Sequence, residues 1–173
     1  MGDDYTGPVT VEADDGSERV LAKSDVWSQS ETIMEMVKDT DPGDTIPLAA
    51  VSKEALDKAT EWMEHMVTFE ADGTSDEDKK AWISGYKKTM EEQDQLPLLF
   101  STMNAANFMN IKALLDELCK FVAEMIAQRT PNEIRDYFGI EKGTEEEEAA
   151  LMEQYNWIDP EGLIAKDMEA KAA

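Results

Sequence analysis

The chain has 173 residues and a formal net charge of -23, from 16 Lys and Arg against 39 Asp and Glu. This length allows one domain with a hydrophobic core and an extension. A surface with this much negative charge repels nucleic-acid backbones and anionic lipid. We therefore expect neither nucleic-acid nor membrane binding. The single cysteine excludes an intrachain disulfide, and no apolar run approaches the roughly 18 residues of a membrane helix. We therefore expect a soluble protein of a reducing, intracellular setting.

The first part of the chain mixes strand and helix signals. Residues 9–12 and 20–22 are β-prone and flank the turn residues 14–16, which predicts a hairpin. Apolar residues at helical spacing predict a short helix over 31–37. Residues 46–48 indicate a brief edge strand, because the proline among them cannot donate to a sheet ladder.

Long helical patterns and an acidic segment fill the middle of the chain. Apolar residues recur at helical spacing after Ser52, which is placed to cap that helix. Residues 70–80 carry dense charge and no apolar period, so we predict a solvated acidic loop. Pro97 falls in the first turn of the next helix, where proline is tolerated. Asn110 is placed to cap a further helix from Ile111, whose apolar face is wider than a core alone requires.

Paired helix starts follow in the last third. Thr130 with Glu133, and Thr144 with Glu147, form capping-box patterns, and each cap stabilises by roughly 1 kcal/mol. Helices this short cannot close a core alone. Their apolar residues must therefore meet the main domain or a partner.

The sequence offers little for catalysis or metal binding. His65 and Cys119 are the only residues of their types, so we expect a packed histidine, a small buried cysteine and no zinc site. Acidic runs from Asp39 and Asp72 resemble the start of a calcium loop, but both lack the glutamate that an EF-hand requires at its end. We predict no enzyme activity, no metal and no cofactor, and we retain an acidic calcium-binding protein as an alternative.

A family pattern is carried by separate runs of residues. They are 105–116 (AANFMNIKALLD), 130–135 (TPNEIR), 144–148 (TEEEE) and 156–157 (NW). Together they closely resemble the Skp family, the S-phase kinase-associated adaptors of SCF (Skp, cullin, F-box) ubiquitin ligases. The resemblance covers residues 9–158 and is densest from Asp94 onward.

The resemblance implies a helix-rich α/β fold, with a BTB/POZ-like domain, a short sheet and a C-terminal extension of two helices. We expect the domain over 1–128, an F-box-binding extension over 129–158 and a flexible tail over 159–173. The implied function is that of a non-catalytic adaptor that bridges a cullin and F-box substrate receptors. Its implied setting is ubiquitin-dependent protein degradation in the cytoplasm and nucleus.

Family positions assign residues to both partners. Asn107 and Phe108 match the cullin-contacting pair, with phenylalanine where tyrosine is usual. The residues that match the F-box side are Leu115, Cys119, Val122, Phe138, Ile140 and Trp157. The spacing from Trp82 to Asp94 is longer than usual, and Pro97 lies where the family seldom has proline. An elongin C-like adaptor for another receptor box stays an alternative, and weak homodimerisation of the free chain stays open.

Overall fold

The computed structural model describes residues 5–127, 129–141, 143–155 and 157. Within them the strands are β1 (Val9–Glu12), β2 (Glu18–Leu21) and β3 (Thr45–Pro47). The helices are α1 (Ser24–Trp27), α2 (Glu31–Asp39), α3 (Lys53–Asp72), α4 (Asp76–Lys88), α5 (Leu96–Phe108), α6 (Lys112–Ala127), α7 (Pro131–Phe138) and α8 (Glu145–Gln154). A short 3-10 turn, Gln93–Gln95, precedes α5. This is the helix-rich α/β fold that the sequence predicts.

The predicted hairpin and edge strand both form. β1 pairs antiparallel with β2 and parallel with β3, so the sheet order is β2-β1-β3. Pro47 ends β3 at the sheet edge, where its missing N–H removes no ladder bond. Val9 and Val11 are buried while Thr10 and Glu12 are half-buried, so one face of β1 lines the core.

The core of the first part of the chain is built from buried side chains of the sheet and of α2, α3 and α5. Its largest fully buried side chains include Leu21, Ile33, Ile46, Leu56, Trp62, Met63 and Leu99. α3 begins as predicted, because the Ser52 hydroxyl accepts a hydrogen bond of 3.4 Å from the Ala55 N–H. Fully burying an apolar side chain of this size stabilises the fold by about 1.5–3 kcal/mol.

The acidic loop predicted over 70–80 is wrong, because most of that segment is helical. α3 continues to Asp72 and α4 begins at Asp76. Gly73 ends α3 with a φ of 63°, and the Ser75 hydroxyl caps α4 by accepting the Asp78 N–H at 3.2 Å. The acidic residues stand in the first turn of α4, where they complement the helix dipole. The dense charge of residues 70–80 therefore belongs to the end of α3, a short connection and the start of α4.

An aromatic cluster holds α4 against α3. The Trp82 ring centroid lies 4.3 Å from that of His65, 5.2 Å from Tyr86 and 5.6 Å from Phe69. The Tyr86 hydroxyl donates to the Lys58 carbonyl at 2.9 Å, and burial raises the pKa of Tyr86 above its ordinary value. His65 is half-buried in this cluster, which agrees with its expected packing role.

The chain divides into two compact units, the first ending at Val122 and the second beginning at Ala123, inside α6. The domain boundary predicted after residue 128 stays a prediction, and the tail predicted over 159–173 lies outside the described residues. In the second unit both predicted capping boxes form. The Thr130 hydroxyl accepts the Glu133 N–H, the Thr144 hydroxyl accepts the Glu147 N–H, and each glutamate accepts the threonine N–H in return.

Candidate functional site

One face of α5 is buried, and the opposite face carries the residues predicted to contact a cullin. The buried face includes Leu96, Leu99, Thr102, Ala105 and Ala106. Asn107 and Phe108 end the exposed face, with Phe108 37% exposed. Asn104 and Phe100 precede Phe108 by one and two helical turns, and Phe100 is 39% exposed. The sequence reasoning missed these two, although counting back from Phe108 in steps of four would have found them.

A tight turn between α5 and α6 sets the direction of Asn107 and Phe108. The Ile111 N–H donates to the Ala106 carbonyl at 2.8 Å, and the Asn110 N–H donates to the Asn107 carbonyl at 3.1 Å. With Asn110 at a φ of 53°, these bonds form a Schellman motif that ends α5. Asn110 as the cap of α6 is therefore wrong, because α6 begins at Lys112 and Asn110 closes the preceding helix.

α6 is apolar on more than its buried face. The side chains of α6 that are buried in the first unit are Leu114, Leu118 and Phe121. Leu115 and Val122 are half-buried, and Cys119, between them on the helical spacing, is exposed. The expectation that Cys119 is buried is wrong, because Leu118 takes the core position and the next residue turns about 100° away around the helix. The predicted F-box residues of α6 thus share an accessible face.

On the side of α6 away from this face, a glutamate joins α6 to α4. Glu117 lies 2.9 Å from the Lys120 ammonium and 3.5 Å from that of Lys87. Lys120 first, and Lys87 after it, hold the pKa of Glu117 below its ordinary value against the opposing effect of burial. The Lys87 ammonium also lies 5.6 Å from the centre of the Phe121 ring. These contacts fix the side of α6 that faces α4.

The second unit exposes several large apolar side chains. Phe138 is half-buried, and its ring centroid lies 5.2 Å from that of Tyr137. The guanidinium carbon of Arg129 lies 4.3 Å from the centre of the Tyr137 ring. Ile140 is 55% exposed and Trp157 is 73% exposed. Leu151 and Tyr155, which were not predicted as partner residues, are 51% and 47% exposed. Exposed apolar side chains such as those of Ile140 and Trp157 are typical of protein-binding residues.

The predicted F-box residues are distributed over both units. Leu115, Cys119 and Val122 lie in the first unit, whereas Phe138, Ile140 and Trp157 lie in the second. All of them are exposed or half-buried, and none is enclosed in a core. Their exposure is what a partner-binding role requires of each residue.

The described residues give no support to the calcium-binding alternative. Across residues 5–127, 129–141, 143–155 and 157, no group of three or more His, Cys, Asp or Glu side chains is placed to hold a metal ion. Asp76 and Asp78 belong to the first turn of α4, and Asp78 accepts a hydrogen bond of 2.7 Å from the Ser75 hydroxyl.

None of the described helices combines the length and the apolar character needed to cross a bilayer.

The fold is that of a helix-rich α/β protein with a BTB/POZ-like domain. Its exposed apolar residues are suited to binding other proteins. Residues 9–68 match the tetramerisation domain of the Skp1 family, and residues 112–158 match its dimerisation domain. The chain belongs to the Skp1 family. This confirms the resemblance stated from the sequence.

Relatives from plants and fungi agree with this assignment. SKP1-like protein 11 of Arabidopsis thaliana is 41% identical over 130 residues, which cover 75% of this chain and 82% of that protein. SKP1-like protein 1A of the same plant is 35% identical over 158 residues, covering 86% and 95%. The E3 ubiquitin ligase complex SCF subunit sconC of Arthroderma benhamiae is 35% identical over 166 residues, covering 92% and 99%. The similarity therefore extends through both units.

Proposed function

We propose that this chain is a non-catalytic adaptor of an SCF-type E3 ubiquitin ligase, which joins a cullin to F-box substrate receptors for ubiquitin-dependent protein degradation. The observation that carries the proposal is the accessibility of the family-matched residues, with Phe108 37% and Trp157 73% exposed. The sconC relative is named as a subunit of such a complex. An adaptor needs binding surfaces for two partners and no reactive centre.

The residues proposed to bind the F-box are Leu115, Cys119 and Val122 in the first unit and Phe138, Ile140 and Trp157 in the second. Trp157 is 73% exposed and Ile140 is 55% exposed. Burial of apolar area stabilises a complex by about 25 cal/mol per Å² before the costs of association. Tryptophan is also enriched among the residues that dominate binding energy at interfaces. Trp157 is therefore the proposed anchor for the F-box.

The proposed cullin surface consists of Phe100, Asn104, Asn107 and Phe108, along the exposed face of α5. The two rings supply apolar contact area, and the two amides can donate and accept hydrogen bonds that orient a partner. Phe108 retains the ring but not the hydroxyl that the family's usual tyrosine would bring. Aromatic rings interleaved with amides give this face the composition of an interface core.

The charge of the chain bears on how partners approach it. A net charge of -23 favours partners with basic edges and makes association faster at low ionic strength. We extend the proposal to activity in the cytoplasm and the nucleus, on the family resemblance alone. Weak self-association of the free chain is included on the same ground.

Reconstitution tests the proposed function directly. The purified chain is mixed with the N-terminal domain of a cullin and with an F-box protein, and the complexes are measured by size-exclusion chromatography with light scattering. We expect binary complexes with each partner and a ternary complex with one copy of each. Binding to only one partner at a time would contradict bridging. Capture of an elongin-type receptor box in preference to the F-box would support the elongin C-like alternative instead.

A further inference from the structure

The turn that follows Asn107 and Phe108 is hydrogen-bonded to the start of α2. We propose that Ser30, Glu31 and Thr32 are positioning residues, which hold the cullin surface in its binding conformation through contacts with the end of α5. This inference deepens the proposed function and rests on it.

Thr32 of α2 satisfies two carbonyl groups at the end of α5. The Thr32 hydroxyl donates to the Phe108 carbonyl at 2.8 Å, and the Thr32 N–H donates to the Met109 carbonyl at 3.4 Å. The last carbonyls of a helix have no partner within the helix. Thr32, which precedes Phe108 by 76 positions, supplies such a partner from a distant part of the chain.

The Ser30 hydroxyl joins the start of α2 to the end of α5 through a single oxygen atom. It is fully buried, accepts the Ile33 N–H at 3.1 Å as the cap of α2, and donates to the Met109 carbonyl at 2.6 Å. A serine hydroxyl can do both because it carries one donor and two acceptor sites. Any shift of the α5 end therefore disturbs the α2 cap as well.

The Glu31 carboxylate contacts both sides of the turn. It accepts hydrogen bonds from the Asn110 amide and from the Lys112 ammonium, the latter at 2.6 Å. Asn110 has a φ of 53°, a region that residues other than glycine seldom adopt. The bond to Glu31 favours that conformation. Because the Lys112 side chain is 70% exposed, the ionic part of this contact contributes little, and its geometry matters more.

A turn held in this way is ordered before a partner arrives. Association costs less free energy when the binding residues need not be ordered at the moment of contact. Asn107 and Phe108 belong to the last turn of α5, directly attached to the bonded carbonyls. Loosening the bonds from α2 should therefore weaken cullin binding and leave F-box binding unchanged.

The decisive variant is Thr32→Val, which keeps the shape of the side chain and removes only the hydroxyl. Its matched control is Thr68→Val, because the Thr68 hydroxyl also donates to a helix carbonyl, that of Glu64, at 2.9 Å on an exposed part of α3. By calorimetry with a cullin N-terminal domain, we expect Thr32→Val to bind about three- to tenfold more weakly, the effect of one net hydrogen bond. Thr32→Ser, which restores the hydroxyl, should bind as the wild type does, and so should Thr68→Val.

A double variant separates positioning from direct contact. If Thr32 acts through Phe108, then Thr32→Val should cost nothing further in a Phe108→Ala background. Additive losses, an unchanged affinity for Thr32→Val, or an equal loss for Thr68→Val would each overturn the inference. If the wild type binds no cullin, the proposed function fails and the inference falls with it. If the wild type binds but Phe108→Ala binds normally, only the inference fails, because Phe108 then lies outside the cullin surface.

A second variant covers the case in which Thr32→Val does not fold. Asn110→Gly keeps a residue that adopts positive φ freely and removes the side-chain bond to Glu31. We expect weaker cullin binding with unchanged F-box binding. Unchanged cullin binding in this folded variant would count against the role of Glu31.

Discussion

The ammonium of Lys87 on α4 lies 3.5 Å from the carboxylate of Glu117 on α6, in a position where only 14% and 28% of the two side chains are exposed. Glu117 also accepts a hydrogen bond of 2.9 Å from Lys120. The ion pair thereby ties α4 to α6, the helix that carries three of the six proposed F-box residues. This contact gives a prediction for the dependence of stability on pH.

Glu117→Gln should lower the free energy of unfolding by about 0.5 kcal/mol at neutral pH, the size typical of partly exposed ion pairs. Lys120 and Lys87 lower the pKa of Glu117 in the folded state. The stabilisation is therefore fully present above the ordinary pKa of 4.5 and is lost as the pH falls through the lower, folded-state value. Urea denaturation of both proteins from pH 7 to pH 3 measures this difference. A gap that widened toward acid would contradict it.

Trp157→Ala should weaken F-box binding by about 2 kcal/mol, or roughly 30-fold, because an exposed tryptophan anchor loses its contact area in the complex. Cullin binding should stay near the wild-type value. Leu151→Ala is the matched control, since Leu151 is a 51% exposed apolar residue of the same unit outside the family-matched set. Both affinities can be measured by calorimetry on each variant. Equal loss of both partners in a folded Trp157→Ala protein would contradict the two-surface proposal.

Phe108→Ala should weaken cullin binding about tenfold or more and spare the F-box, because it removes a ring at the end of α5. Phe108→Tyr should bind at least as well as the wild type, since it keeps the ring and adds a hydroxyl. Val20→Ala serves as the control, because Val20 is 57% exposed on β2. Biolayer interferometry with an immobilised cullin N-terminal domain checks all three. A normal affinity for Phe108→Ala would remove this residue from the proposed surface.

Trp82→Ala should destabilise the first unit by about 2 kcal/mol, less than for a fully buried tryptophan because Trp82 is half-buried. Its ring is the member of the aromatic cluster that contacts His65, Phe69 and Tyr86. We expect faster proteolysis within α4 of the variant, while Trp82→Phe retains most of the resistance. Equal resistance of Trp82→Ala and the wild type would contradict this role of the ring.

Much of the local structure can be predicted from the sequence because its causes lie within a few residues. Thr130 and Glu133 are three positions apart, and their reciprocal bonds form wherever the helix begins. The hairpin depends in the same way on a turn between β-prone segments. The exposed Phe108 was recognised through the family pattern, whereas Phe100 was missed although its helical spacing from Phe108 points to the same face of α5. The segment 70–80 was misread because its charge masked signals for a helix end and a helix start.

The sequence by itself determined the caps at Ser52, Thr130 and Thr144, the hairpin, the helix-rich α/β class and membership of the Skp1 family. The tertiary structure alone decided that α4 packs on α3, that Cys119 faces outward, and that Thr32 bonds to Phe108. Local features follow from neighbouring residues, whose hydrogen bonds and backbone preferences act over a single turn. The Ser30 hydroxyl and the Met109 carbonyl are 79 positions apart, and no local pattern encodes their meeting. Such contacts form only when burial of the core brings distant segments together.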